Sequence, residues 1–207
     1  MTRKSAILVL SAALCSALPA HAQMGGMGLP GEGPTAGEAA PQTTSPDVPS
    51  GPEGQAEDLR LRGKCDKAIP IFRSLASRGS GFEIARYNLG LCLLDTAKAE
   101  SDSQRAAGLA QEGVADIRKA ADGALPGAQL KLVDIYLSGT GVAADPVQAG
   151  MWSLIYHSNG TRIVLGLPDI SSDLQDRLNA VLTAKTWAVA QSRADAWQPD
   201  SQGSGGE

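Results

Sequence analysis

The amino-acid sequence predicts an all-α fold, a short stack of antiparallel helix hairpins closed by a C-terminal capping helix. Three observations carry that prediction. Residues 127–160 place small and large side chains where two short packed helices need them. Ala85, Leu89 and Leu93 repeat part of that pattern 43 residues earlier, a period that suits helical repeats. Leu174, Leu178, Val181, Leu182 and Val189 continue a helical stripe downstream to about residue 192.

Taken from the N-terminus, the chain opens on a targeting pattern. Arg3 and Lys4 supply a positive region, residues 6–18 form an apolar run too short to span a bilayer, and Ala20-His21-Ala22 offers a small-x-small cleavage site before Gln23. Residues 1–22 read as a bacterial-type secretory signal peptide, which predicts an exported protein, periplasmic or secreted. Cys15 lies in that segment, but Leu14 precedes it where the lipoprotein pattern has glycine, alanine or serine, which favours a soluble chain over a lipid-anchored one. Peripheral association with the envelope stays open. Residues 23–55 are rich in Gly, Pro, Thr and Ser, bury too little apolar surface to offset ordering entropy, and read as a flexible linker. Met24 and Met27 offer two thioethers with no histidine nearby, too few soft ligands for a copper(I) site. Residues 198–207 read as a disordered tail. The folded domain is then residues 56–197, a common size for one domain with a single continuous core.

Within that domain, the first hairpin is expected over residues 56–77. Leu59 and Leu61 flank its first arm, and Ala68, Ile69, Ile71, Phe72, Leu75 and Ala76 make the face of its second. Pro70 is tolerable only near a helix start, so the second arm is expected to begin at Asp66 or Lys67. The next hairpin pairs the helix of Ala85, Leu89 and Leu93 with one over about residues 104–121. In the third, Leu130, Val133 and Leu137, with Leu132 and Tyr136, form an apolar face that Ser138-Gly139-Thr140-Gly141 ends. Asp145 can cap the following helix, with Pro146 at its first position, and that helix carries Val147, Ala149, Met151, Trp152, Ile155 and Tyr156 up to Asn159-Gly160. Ser172-Asp173-Leu174-Gln175 has the S-x-x-Q capping pattern, which predicts one long helix from there to about residue 192.

Ala128, Leu132, Tyr136, Gly139, Gly141, Val142, Asp145, Ala149 and Trp152 together read A-x3-L-x3-Y-x2-G-x-G-V-x2-D-x3-A-x2-W. This unit resembles the Sel1-like repeats, relatives of the tetratricopeptide repeats. The resemblance implies an α-solenoid of helix hairpins that binds peptides or proteins. The unit around Ala85 departs from it: Leu93 stands at the tyrosine position, the polar run over residues 97–103 replaces the Gly-x-Gly-Val turn, and no tryptophan follows, although Ala120-Ala121-Asp122-Gly123 is similar to the close of such a unit. The hairpin over residues 56–77 is more similar to a tetratricopeptide unit. In a solenoid the first helices of successive repeats line the concave face, which nominates Tyr87, Asn88, Gln129, Lys131, Asp134 and Ile135 as partner-contact residues.

Charge narrows the partners. Without residues 1–22 the chain has 16 basic against 22 acidic groups, a net charge of −6, and its basic residues are scattered, which argues against nucleic acid. Arg60, Arg62 and Lys64 are the nearest approach to a cluster, read either as a solvated helix end or as a clamp for a peptide carboxylate. Cys65 and Cys92 would meet an oxidising compartment after export, and antiparallel packing puts them at similar heights. They read as a disulfide or as two separate buried thiols; a redox pair is disfavoured because the Cys-x-x-Cys spacing is missing.

No reaction can be read from the sequence, and neither a metal site nor a cofactor is expected. His157 is the one histidine outside the signal segment, so no two-histidine metal site can form. His157, Ser158 and Asp169 make a triad only on paper, since no Gly-x-Ser-x-Gly elbow is present. Asp116, Asp134 and Asp145 fall on separate helices, and capping accounts for Asp145. Trp187 and Tyr156 read as core. Asn159-Gly160-Thr161 matches a glycosylation sequon and reads as a turn. The expected function is a non-enzymatic interaction module of the cell envelope with an unknown protein or peptide partner. The alternative is a cell-wall or β-lactam-binding hydrolase, or an accessory to one, against which the missing Ser-x-x-Lys motif counts.

Overall fold

The computed structural model describes residues 51–200, which contain helices and no strand. The signal segment, with Cys15, most of the expected linker, with Met24 and Met27, and residues 201–207 lie outside the described residues. Three hairpins follow one another: α1 (Pro52–Leu61) with α2 (Cys65–Ala76), α3 (Glu83–Ala99) with α4 (Ser103–Asp122), and α5 (Pro126–Ser138) with α6 (Pro146–Ser158). Each packs on the next through α2 against α3 and α4 against α5. The short α7 (Gly160–Val164), α8 (Ser172–Val181) and α9 (Ala184–Ala196) complete the chain, and α9 covers α6. This is an α-solenoid of antiparallel hairpins with a helical cap.

The third hairpin forms as its residues dictate. Gly139 ends α5 at φ 75°, the left-handed conformation that costs glycine nothing. The Asp145 carboxylate accepts the Gln148 N–H at 3.0 Å and caps α6, with Pro146 in its first turn. Gly141 has a second reason for being glycine besides its φ of 70°: a Cβ there would stand 2.7 Å from the Ala110 carbonyl oxygen of α4. The turn of one repeat is thereby pressed onto the preceding one.

Several boundaries differ from the sequence expectation. Helix α1 begins at Pro52, inside the expected linker, because proline at the first turn and Glu53 beside the positive helix end both favour a start there. Helix α2 begins at Cys65, which puts Pro70 in its second turn. Proline is accommodated because it is exposed, so the Asp66 carbonyl that loses its partner lies on the solvent side. The single long helix expected at the C-terminus is two. Leu182 turns extended at φ −103° and ψ 126°, and Thr183 restarts the chain with a reciprocal cap in which its hydroxyl and that of Thr186 each bond the other's backbone N–H. The cap of α8 is Ser171 rather than Ser172, its hydroxyl accepting the Leu174 N–H. The chain remains attached beyond Trp197, where the Asp200 N–H donates to the Asp122 carbonyl at 2.8 Å.

The core is two clusters rather than one. Ala56, Ala68, Phe72, Leu75, Leu89 and Leu93 pack α1 to α3, while Leu94, Ile117, Leu132, Trp152 and Leu178 belong to a second cluster running to α8. Helix α3 divides them, turning Leu93 one way and Leu94 the other. A disulfide joins Cys65 at the start of α2 to Cys92 of α3, with Cα atoms 5.2 Å apart.

Helices α3 and α4 approach through glycine. A Cβ at Gly90 would lie 2.6 Å from the Gly113 carbonyl oxygen and 2.6 Å from Ile117 Cγ1. Gly→Ala in a helix ordinarily gains up to about 1 kcal/mol. At Gly90 the sign reverses, and G90A is expected to lose about 1–3 kcal/mol through forced separation of the two helices. G108A, in the same pair but open to solvent, is the matching control and should be neutral or stabilising. Urea denaturation of both variants checks the contrast, and equal effects would refute the close-contact account.

Candidate functional site

A groove of about 540 Å³ lies between the first helices of the three hairpins. Helix α1 contributes Glu53, Gly54, Glu57 and Arg60; α3 contributes Ile84, Ala85, Tyr87 and Asn88; Leu125 and Gly127 enter from the start of α5. Phe72 of α2 closes the floor. The lining is mainly apolar, and Ile84 stands 66% exposed at its edge. A large aliphatic side chain left in solvent beside a groove is the surface feature that asks for a partner. Spacing explains the placement: Ile84 precedes Ala85 on the Ala85, Leu89, Leu93 stripe and so falls just off the buried face.

The polar groups of the groove are tied together. Arg60 donates to both oxygens of Glu57, through Nε at 3.0 Å and through Nη2, and the Asn88 amide donates to Glu57 Oε2 at 2.7 Å. The Glu57 hydrogen bonds hold Arg60 firmly protonated. Burial pushes the Tyr87 phenol above its usual range, with Arg60 opposing, so Tyr87 stays neutral at physiological pH. Gly127 lies beside the Tyr87 ring, where a Cβ would stand 3.6 Å away in ordinary van der Waals contact. Of the three cations read either as a solvated helix end or as a carboxylate clamp, Arg60 is committed to Glu57 and Arg62 to Asp58 at 2.9 Å, while Lys64 is exposed, which favours the solvated helix end.

The nominated contact residues do not share one site. Tyr87 and Asn88 line the groove, although Asn88 is 7% exposed and its amide serves Glu57. Gln129 and Ile135 are buried and are not contact residues. Gln129 donates to the Ala121 carbonyl and accepts the Asn159 amide at 2.8 Å, while Asn159 also donates to the Ala124 carbonyl. Buried amides need such partners, and these two sew α6 to the turn between α4 and α5. Asp134 bonds Arg177 of α8 at 3.0 Å in a separate cleft of about 330 Å³. Lys131 is half-buried on α5. Sequence reasoning gives Glu53, Glu57 and Ile84 no role at a site; an aliphatic residue just off a buried stripe is the signal that could have found Ile84.

His157 and Asp169 do meet, through Nδ1 and Oδ2, beside a cleft of about 590 Å³ that also includes Ser172. Partial burial pushes the Asp169 carboxyl up, but the Ile170 N–H and the His157 ring outweigh it and hold it below its usual range. The third member of the paper triad is elsewhere: Ser158 donates to the Leu154 and Ile155 carbonyls along its own helix. Arg162 bonds the Tyr156, His157 and Leu167 carbonyls, so this end of α6 is built as a structural tie. Among the described residues no group of three or more His, Cys, Asp or Glu is arranged for a metal ion, and no helix is long and apolar enough to cross a membrane.

No protein-family model matches the chain, and no curated protein matches it. A solved structure does. It is a protective antigen present in uropathogenic Escherichia coli strains, displaying a Sel1-like repeat fold, with 27% sequence identity and a TM-score of 0.54. The likeness covers 72% of this chain. The chain has a Sel1-like repeat fold. It spans 30% of the length of that antigen. The Sel1-like motif of residues 128–152 accounts for what the hairpin does: Ala128, Leu132, Ala149 and Trp152 are wholly buried, Gly139 and Gly141 make the turn, Asp145 caps, and the Tyr136 hydroxyl accepts from Arg118 at 3.1 Å. These residues hold the repeat and leave the groove to others.

Proposed function

We propose that this chain is an exported interaction module of the cell envelope that holds a peptide or protein segment against the groove of α1, α3 and α5. The groove itself carries the reading: three successive first helices converge on an apolar floor with a charged edge, already in place before any partner arrives. A rigid receptor loses little conformational entropy on binding, so a modest groove can hold an extended segment. The disulfide fits an oxidising compartment, as does the signal-like pattern of residues 1–22.

The test is photocrosslinking in the exporting cell from position 84, read by mass spectrometry, with Gln111 on the exposed side of α4 as the control position. A reproducible adduct from position 84 that is missing from position 111 supports the reading. Equal capture from both, or none above background with the chain folded and exported, counts against it.

A further inference from the structure

We infer that the occupant of the groove is a polypeptide segment carrying a large apolar side chain next to a lysine or arginine. This rests on the groove being a binding site and adds what it selects. The apolar part follows from Phe72, Ile84, Ala85 and Leu125, which can accept an aliphatic or aromatic side chain in a space of about 540 Å³.

The cation follows from the charges at the groove edge. Glu53 and Glu57 stand four residues apart on α1, on one face of the helix. Arg60, the single cation lining the groove among the described residues, is bonded to Glu57 through two nitrogens and is thereby withdrawn as a receptor for anions. Glu53 is exposed at the mouth, and the three groups sum to one negative charge. Asn88 gives an amide N–H to Glu57, which leaves its carbonyl oxygen as an acceptor. Arg60 and Asn88 keep N–H donors that Glu57 does not use, and the Tyr87 hydroxyl can donate or accept, but the charge that no group in the lining neutralises is the carboxylate of Glu53. An ammonium or guanidinium beside an apolar anchor satisfies that charge; a carboxylate or phosphate would face Glu53 across a lining whose one cation is already committed.

The same charges argue against the chain's own N-terminal segment as occupant. Residues 23–50 contain Glu32, Glu38 and Asp47 and neither lysine nor arginine. Their sign is wrong for this edge.

The test selects twelve-residue peptides from a random display library on the full chain, then measures the selected peptides by fluorescence anisotropy against wild type, E53K and I84D. Both positions are exposed, so the variants keep the fold, which circular dichroism verifies. The expected result is enrichment of an apolar residue adjacent to Lys or Arg. Affinity should fall about tenfold or more in each variant, and binding to wild type should weaken with added salt. Enrichment of acidic peptides, of apolar peptides without a basic neighbour, or of none at all overturns the inference. So does full affinity in both variants. A synthetic peptide of residues 23–50 that binds with the same sensitivity to I84D would make the chain's own segment the occupant, and self-association lost in I84D would make it a second copy; either overturns the inference. If photocrosslinking from position 84 still captures a partner while the selection fails, the groove remains a binding site and the selectivity alone is wrong.

Discussion

Truncation of Trp152 to alanine will destabilise the fold by about 3–5 kcal/mol, the range found for removing a large buried aromatic. Trp152 has no exposed surface and belongs to the cluster that joins α4, α5, α6 and α8. Its ring is met edge-on by Trp197, with centroids 6.0 Å apart, and the Arg118 guanidinium lies 5.0 Å from it. Removing the indole therefore opens a cavity, strips Arg118 of its cation–π contact and leaves Trp197 without its partner. The loss is a large share of the roughly 5–15 kcal/mol typical of a whole domain. It should also loosen the C-terminal segment, which Trp197 Nε1 and the Asp200 N–H attach to Asp122. Urea denaturation followed by circular dichroism measures the effect, and W152F should recover part of it. A loss under about 1 kcal/mol would show that the cluster can collapse around the missing ring.

Breaking the Cys65–Cys92 bond will lower stability by about 3 kcal/mol, the value the chain-entropy model assigns to loops of this size. The two residues are 27 apart in sequence, and Cys92 is wholly buried. Reduction frees the loop of residues 65–92, which holds α2 and the first half of α3, in the unfolded chain while the folded chain keeps its contacts, so the effect falls on the unfolded state. The bond also bears on the groove, because it anchors α2, which supplies Phe72, to α3, which supplies Ile84, Tyr87 and Asn88. Denaturation of the oxidised chain, the reduced chain and the C65S/C92A variant checks this. The last two should agree with each other and fall below the first. Identical midpoints in all three would remove the disulfide from the stability of the fold.

Much of the third hairpin is legible in its residues alone. Gly139, Asp145 and Pro146 act within a few residues of themselves, so their chemistry is local and their positions announce it. The Ala128 to Trp152 spacing is legible for the same reason, since one helix face repeats every three or four residues. Local signals fail where two solutions are close in energy. Ser171 and Ser172 can both cap a helix, and only the burial of Leu174 and Leu178 chooses the register. Pro70 looks misplaced by its own backbone, whereas its tolerance depends on facing solvent.

Residue identity and spacing alone determined the all-α class, the hairpin order, the turn at Gly139 and the opportunity for Cys65 to meet Cys92. Each follows from interactions within a turn or two of helix, or from the compartment. Tertiary structure alone decided that Gln129 is buried while Ile84 is exposed, that Gly90 and Gly113 face each other, and that Glu53 and Glu57 edge a groove with Phe72 and Leu125. Those facts depend on how one helix is rotated against the next. A helix face shows in its own periodicity, but which neighbour covers it is set by packing between residues distant in sequence, and the groove is the space those packings leave.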